Sequence, residues 1–135
     1  IPLFDFSSAT LITGLFNGCN SVVTLPLFNF SAATNASAIV NNCVSLRELP
    51  AWDFSKVTTL GTYVLNCHSL SRVRVTGVKV THSYANCNLS ATALNEIFTN
   101  LASGVTAQTI TITGNPGAAT CTPSIATAKG WTVVT

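Results

Sequence analysis

The sequence predicts a solenoid of short parallel strands joined by short helical returns. An α/β cap is expected to close its C-terminal end and to continue the same parallel sheet. Three observations carry this expectation. A 24-residue pattern runs three times, over residues 1–24, 25–48 and 49–72. Six positions are identical in every copy: Pro2/Pro26/Pro50, Phe6/Phe30/Phe54, Ser7/Ser31/Ser55, Thr10/Thr34/Thr58, Cys19/Cys43/Cys67 and Ser21/Ser45/Ser69. A fixed period of this length marks units that each stack on the next. Beyond the third copy the pattern decays over 73–88, and a different helix–strand–helix–strand order fills 89–135, as a cap would.

Within one unit, Leu46 and Leu49 flank polar residues, as do Val22 with Leu25 and Leu70 with Val73. This is the strand spacing of a leucine-rich-repeat-like solenoid. Pro26 and Pro50 follow at once and remove a backbone donor, so strands of three or four residues are expected there. Ser and Thr beside the next turn can bond nearby backbone groups. The stretch 10–19 places Ile12, Leu15, Phe16 and Cys19 at helix-like spacing, which predicts one helical turn or a 3₁₀ segment as the return.

Stacking also predicts columns. Asp5, Asn29 and Asp53 share one, with the neutral Asn between the acids. Glu48 and Arg72 share another and are expected to pair. Phe4, Phe28 and Trp52 form one aromatic column and Phe6, Phe30 and Phe54 a second. Core packing is the ordinary reading of both, and whether the Phe4/Phe28/Trp52 column is buried or exposed stays open. Cys19, Cys43 and Cys67 keep the repeat period, and Cys87 follows at a shorter interval. Equivalent positions on neighbouring units lie about 4.8 Å apart. Parallel Cβ vectors suit a disulfide poorly, so a column of small buried thiols is expected. No C-x-x-C spacing exists for a zinc site, and neither metal nor cofactor is expected.

The fourth unit, VRVTGVKVTHSYANC, alternates apolar and polar residues and keeps Asn86-Cys87 in the place of Asn66-Cys67, with four residues lost before the cysteine. Residues 89–101 read as a helix capped by Ser90 or Thr92, with Ala93, Leu94, Ile97, Phe98 and Leu101 on one face. The segment 108–113 alternates as a half-buried strand, 114–117 is a turn cluster, 123–129 is a second short helix ended by Gly130, and 131–134 is a final strand.

Composition limits function. Only 7% of the 135 residues are charged, against about 25% in an average domain. A net charge of +2 gives no support to nucleic-acid binding. No apolar run reaches the roughly 18 residues of a membrane-spanning helix. The four acids, Asp5, Glu48, Asp53 and Glu96, fall in columns or on a helix surface. Asp5 and Asp53 stand two units apart, about 10 Å by strand spacing, with Asn29 between them. His68 adjoins Cys67 without a third group to orient the pair, and His82 lies in the altered unit. No catalytic residues are therefore assigned. Three N-x-S sequons, at Asn29, Asn35 and Asn88, matter only in a eukaryotic secretory context.

The coil pattern [FW]-[DN]-F-S-x-[AV]-T-x(5)-[FV]-x-x-C-x-S-[LV] resembles the BspA-like leucine-rich repeats of microbial surface proteins. The nearest stretch is DFSKVT at 53–58, followed by Val64, Cys67, Ser69 and Leu70. The end of the chain, TITITGNPG at 109–117 with SIATAKGWT at 124–132, resembles the C-terminal end of bacteriophage-encoded repeat proteins of tail fibres and virion surfaces. These resemblances imply a non-enzymatic recognition or structural module on a virion surface or outside the cell. Its partners would be other virion proteins, copies of itself, or a host-surface glycan or protein. A cellular surface adhesin of the same repeat class is the alternative. On the strand side, Arg47, Arg72 and Arg74, with Trp52 nearby, are the candidate contact patch, because cations beside an aromatic suit anionic glycans or a protein surface. Ordinary solvated side chains are the competing reading. The chain opens inside a repeat, so a processed chain or a fragment is expected. Something is also expected to cover the first unit: an upstream domain, another chain or a symmetry mate.

Overall fold

The computed structural model describes residues 1–135. Regular elements are few and short. In chain order they are β1 (Glu48–Leu49), β2 (Arg72–Val73), β3 (His82–Ser83), α1 (Ala91–Asn100), β4 (Gln108–Thr111), α2 (Ser124–Thr127) and β5 (Trp131–Val134). Strands β1 and β2 form one small parallel sheet, and β3, β4 and β5 form a second, also parallel. The architecture is thus a compact fold, low in secondary structure, with short parallel strands in two small sheets and two short helices.

The 24-residue period is written into the backbone hydrogen bonds. Leu11 bridges Asn35 and Asn35 bridges Thr59, both parallel. The Thr34 and Asn35 N–H groups donate to the Thr10 carbonyl at 2.8 and 3.2 Å, and those of Thr58 and Thr59 donate to Thr34 at 2.9 and 3.2 Å. Glu48 faces Arg72 and Leu49 faces Val73. The threonine hydroxyls repeat the pattern: Thr34 Oγ1 donates to Thr10 and Thr58 Oγ1 to Thr34. The invariant Thr is thus a column of donors to the preceding unit.

The expected helical returns are absent. Gly14 and Gly18 take positive φ of 65° and 76°, which no right-handed helix contains. Their N–H groups, and that of Phe16, donate outward to Ser37, Asn41 and Ile39 of the next unit. The return is a run of turns that bonds its neighbour. In the later units Asn42, Asn66 and Asn86 hold the left-handed position before the cysteine, with φ of 57–59°. Asn tolerates that region better than other side-chain-bearing residues. This explains the recurring Asn-Cys pair.

The sheet does not run on through the cap either. One period beyond Arg72 stands Glu96, inside α1. A helix satisfies its own backbone groups and offers none to a neighbouring strand, so the β1–β2 ladder ends there. Parallel pairing resumes separately at His82, which faces Ile110. The strands β1 and β2 are two residues long rather than three or four, with Pro50 directly after β1.

Cap elements agree with their sequence signals. Ser90 is the N-cap of α1 and its side chain accepts from the Ala93 N–H at 3.2 Å. Ala93, Leu94, Ile97 and Phe98 point inward, and Leu101 is the C-cap. Asn115, buried in the turn cluster, ties the cap together. Its Oδ1 accepts from the Leu89 N–H, and its Nδ2 donates to the Tyr84 and Ile112 carbonyls.

A single hydrophobic cluster runs from Ile12 to Trp131. Both aromatic columns lie in it, except at the first unit. Phe28, Phe30, Trp52 and Phe54 are at most 2% exposed, whereas Phe4 is 54% exposed. Cys43, Cys67 and Cys87 are buried and all five cysteines are free thiols. Their S–H groups also link units: Cys43 Sγ donates to Phe16 O at 3.0 Å and Cys67 Sγ to Val40 O at 2.9 Å.

Candidate functional site

The candidate patch lies where β1 meets β2. The Arg47 carbonyl accepts from the Ser71 and Arg72 N–H groups, which sets Arg47 beside the Ser71–Arg72 segment. Pairing partners differ from the expected Glu48–Arg72 couple. Those two residues are backbone neighbours, but their charged groups reach other partners. Arg72 forms a two-pronged bond to Glu96, Nε to Oε2 and Nη2 to Oε1, each 3.1 Å. Arg74 Nη2 meets Glu48 Oε1 at 2.5 Å. Side chains opposite one another on short parallel strands run outward side by side, so a diagonal or next-unit partner meets the fork better. Arg47 is exposed and makes no ion pair.

Trp52 does not belong to this surface. It is fully buried, its Nε1–H donates to the Pro26 carbonyl at 3.1 Å, and its ring packs against Phe16, Phe30 and Phe54. An indole with its one donor satisfied inside the core is structural. Beside the patch, Thr24, Leu25, Leu27, Glu48, Pro50 and Arg74 line a groove of about 220 Å³. Ser71, Arg72, Ser90, Thr92, Ala93 and Glu96 line a more open one of about 360 Å³.

The remaining reactive groups are engaged in structure. Asp5, Asn29 and Asp53 each accept from the N–H of the serine two residues on, at 2.9, 3.1 and 2.9 Å. These bonds close the turn and hold both carboxyls below their ordinary range. For Asp5 the Ser7 N–H has the largest effect, for Asp53 the Ser55 hydroxyl. Burial pushes the Cys43 thiol up to about 11 and Cys87 up to about 12, which removes nucleophilic thiolate at neutral pH. His68 is exposed and its Nδ1 contacts the Asn86 carbonyl at 3.1 Å, while the adjacent Cys67 points into the core. No cluster of three or more His, Cys, Asp or Glu side chains is placed to hold a metal ion.

His82 was the least legible position. It is 4% exposed and lies among Tyr63, Tyr84 and Trp131, with ring centroids 6.0, 5.2 and 5.4 Å away. Its Nδ1–H donates to the Val80 carbonyl at 2.8 Å, which leaves Nε2 bare and without a partner. Beside it the Tyr63 and Tyr84 hydroxyls share a hydrogen bond. Periodicity gave no guide, because the fourth unit leaves the period: Asp53 bridges Thr76, where the period would have given Gly77.

No helix is long and apolar enough to cross a membrane. No family model, curated protein or solved structure matches the chain.

Proposed function

We propose that the 24-residue units are stacked coils of a leucine-rich-repeat-like solenoid of the BspA-like kind, and that the chain is a non-enzymatic recognition module of a virion surface or tail fibre. The n to n+24 hydrogen bonds between successive units support the stacked reading. The resemblance of the repeat and of the C-terminal end supports the virion setting. One observation carries the binding role: the four acids are committed to turns or ion pairs and His82, Cys43, Cys67 and Cys87 to the core, while Arg47 stands exposed without a carboxylate partner beside two anchored arginines. Arg72 and Arg74, held by Glu96 and Glu48, shape the rim of the patch, and Arg47 supplies its free charge. Such a surface fits an anionic glycan or an acidic protein patch on a host cell, reached by a guanidinium fork.

Retention on immobilised sulfated and carboxylated polysaccharides, measured at low and at physiological salt, tests this. The expected result is salt-sensitive retention of the native chain that falls at least about five-fold in Arg47→Ala. Equal retention of the two proteins, or none of either, removes Arg47 as the contact.

A further inference from the structure

The first unit presents an open end whose chemistry can be read from the units behind it. Ile1, Phe4 and Leu15 are 53, 54 and 36% exposed. Their equivalents one unit on, Leu25, Phe28 and Ile39, are 8, 2 and 0% exposed. What covers those equivalents is the preceding unit, through a specific set of backbone bonds. Ile12, Gly14, Phe16 and Gly18 donate N–H groups to the carbonyls of Asn35, Ser37, Ile39 and Asn41, and the Thr10 carbonyl accepts from Thr34 and Asn35. In the first unit the matching groups are the carbonyls of Leu11, Thr13, Leu15 and Asn17 and the N–H groups of Thr10 and Leu11. None of them has a backbone partner.

We propose that this end is a docking surface for one more coil of the same 24-residue repeat, seated parallel and in register. This rests on the stacked-coil reading above. Donor counting selects the occupant. Over 10–17 the open edge offers four free carbonyls against three free N–H groups, those of Thr10, Leu11 and Thr13. A second copy applying the same edge would bring four acceptors and three donors to four acceptors and three donors, leaving carbonyls without donors in an apolar interface. The opposite end of the molecule, closed by α2 and β5, exposes Ser124, Thr127, Ala128, Thr132 and Val134, so a single large apolar side chain there would face Ile1, Phe4 and Leu15. A coil of the repeat supplies four N–H donors in the first unit and three in the second, with one doubly accepting carbonyl, and the downstream apolar face of such a coil is what already seals Phe28 and Ile39. Parallel edge pairing with side-chain pockets is also a general route for capturing a strand-like partner.

The test extends the full chain before Ile1 with a duplicate of residues 25–48, beside a control carrying the same segment in scrambled order. Thermal unfolding, backbone amide exchange and sedimentation are read on both extensions and on the unextended chain. The duplicated coil is expected to raise the thermal midpoint by at least about 5 °C. It should also slow exchange at Thr10 and Leu11 by at least about ten-fold, with the particle still monomeric. The scrambled extension should do none of this. Phe4→Ser should change the unextended chain little and cancel most of the gain in the extended one. No gain from the duplicated coil, with Thr34, Asn35 and Thr58 protected as expected, overturns the proposal and leaves the stacked reading intact. Self-association of the unextended chain with Thr10 and Leu11 protected overturns it in favour of a second copy. Free exchange at Thr34, Asn35 and Thr58 overturns the stacked reading, and the proposal falls with it.

Discussion

Acid should weaken this protein through one buried imidazole. The Nδ1–H of His82 is committed to the Val80 carbonyl, so a second proton must go to Nε2, which is enclosed by aromatic rings and faces no acceptor. Burial lowers the pKa from the ordinary 6.5 to about 4, with the Val80 bond opposing in part. Between those values the unfolded chain binds a proton that the folded chain refuses, so stability rises with pH across the window and is fully present above about 6.5. Relative to neutral pH the loss comes to about 2 kcal/mol at pH 5 and about 3 kcal/mol at pH 4. Against a total of roughly 5–15 kcal/mol this is a large share. Urea unfolding of the native chain and of His82→Phe at pH 7, 6, 5 and 4 measures it. Phe keeps an aromatic ring in the cage and removes the titration. Native stability should fall toward the variant's as pH drops, with the difference between them shifting by about 3 kcal/mol. Parallel pH profiles for the two proteins would refute the reasoning and place His82 in contact with water.

Three further outcomes follow from burial and backbone conformation. Phe30→Ala, at a fully buried centre of the aromatic core, should cost about 3–5 kcal/mol in chemical denaturation, while Phe6→Ala, half-buried in the open first unit, should cost clearly less. Cys43, Cys67 and Cys87 should react with a thiol reagent only on unfolding, whereas Cys19 and Cys121, both partly exposed, should react first; five equally fast thiols would contradict the core assignment. Asn66→Ala should lose about 1–2 kcal/mol at its left-handed position and Asn66→Gly much less, by thermal unfolding.

Features fixed by repetition or by local capping were legible in the sequence. The period aligned Leu11 with Asn35 and Glu48 with Arg72, and those pairs face each other. Ser90 and the apolar face behind it marked α1 to within a residue or two. Other features failed for identifiable reasons. Ile12, Leu15, Phe16 and Cys19 have helical spacing, but turns at Gly14 and Gly18 bring Ile12 and Phe16 inward without a helix. The two glycines carried that information, and the apolar pattern outweighed them. Trp52 sat near the arginines in sequence, yet its ring lies in the core while the Arg74 guanidinium reaches the surface. The Glu48–Arg72 register was right, but the side chains pair elsewhere, Arg72 with Glu96 one period on and Glu48 with Arg74 two residues beyond Arg72. His82 lay in the one unit that breaks the period, where columns no longer predict burial.

The central claim is that equivalent positions of successive repeat units lie side by side and hydrogen-bond in parallel. Backbone proton–proton contacts measured by NMR on isotope-labelled protein test it most directly. Contacts linking Leu11 with Asn35, Asn35 with Thr59, and Leu49 with Val73 are the expected result. Contacts at another spacing, or antiparallel pairing between these segments, would contradict it.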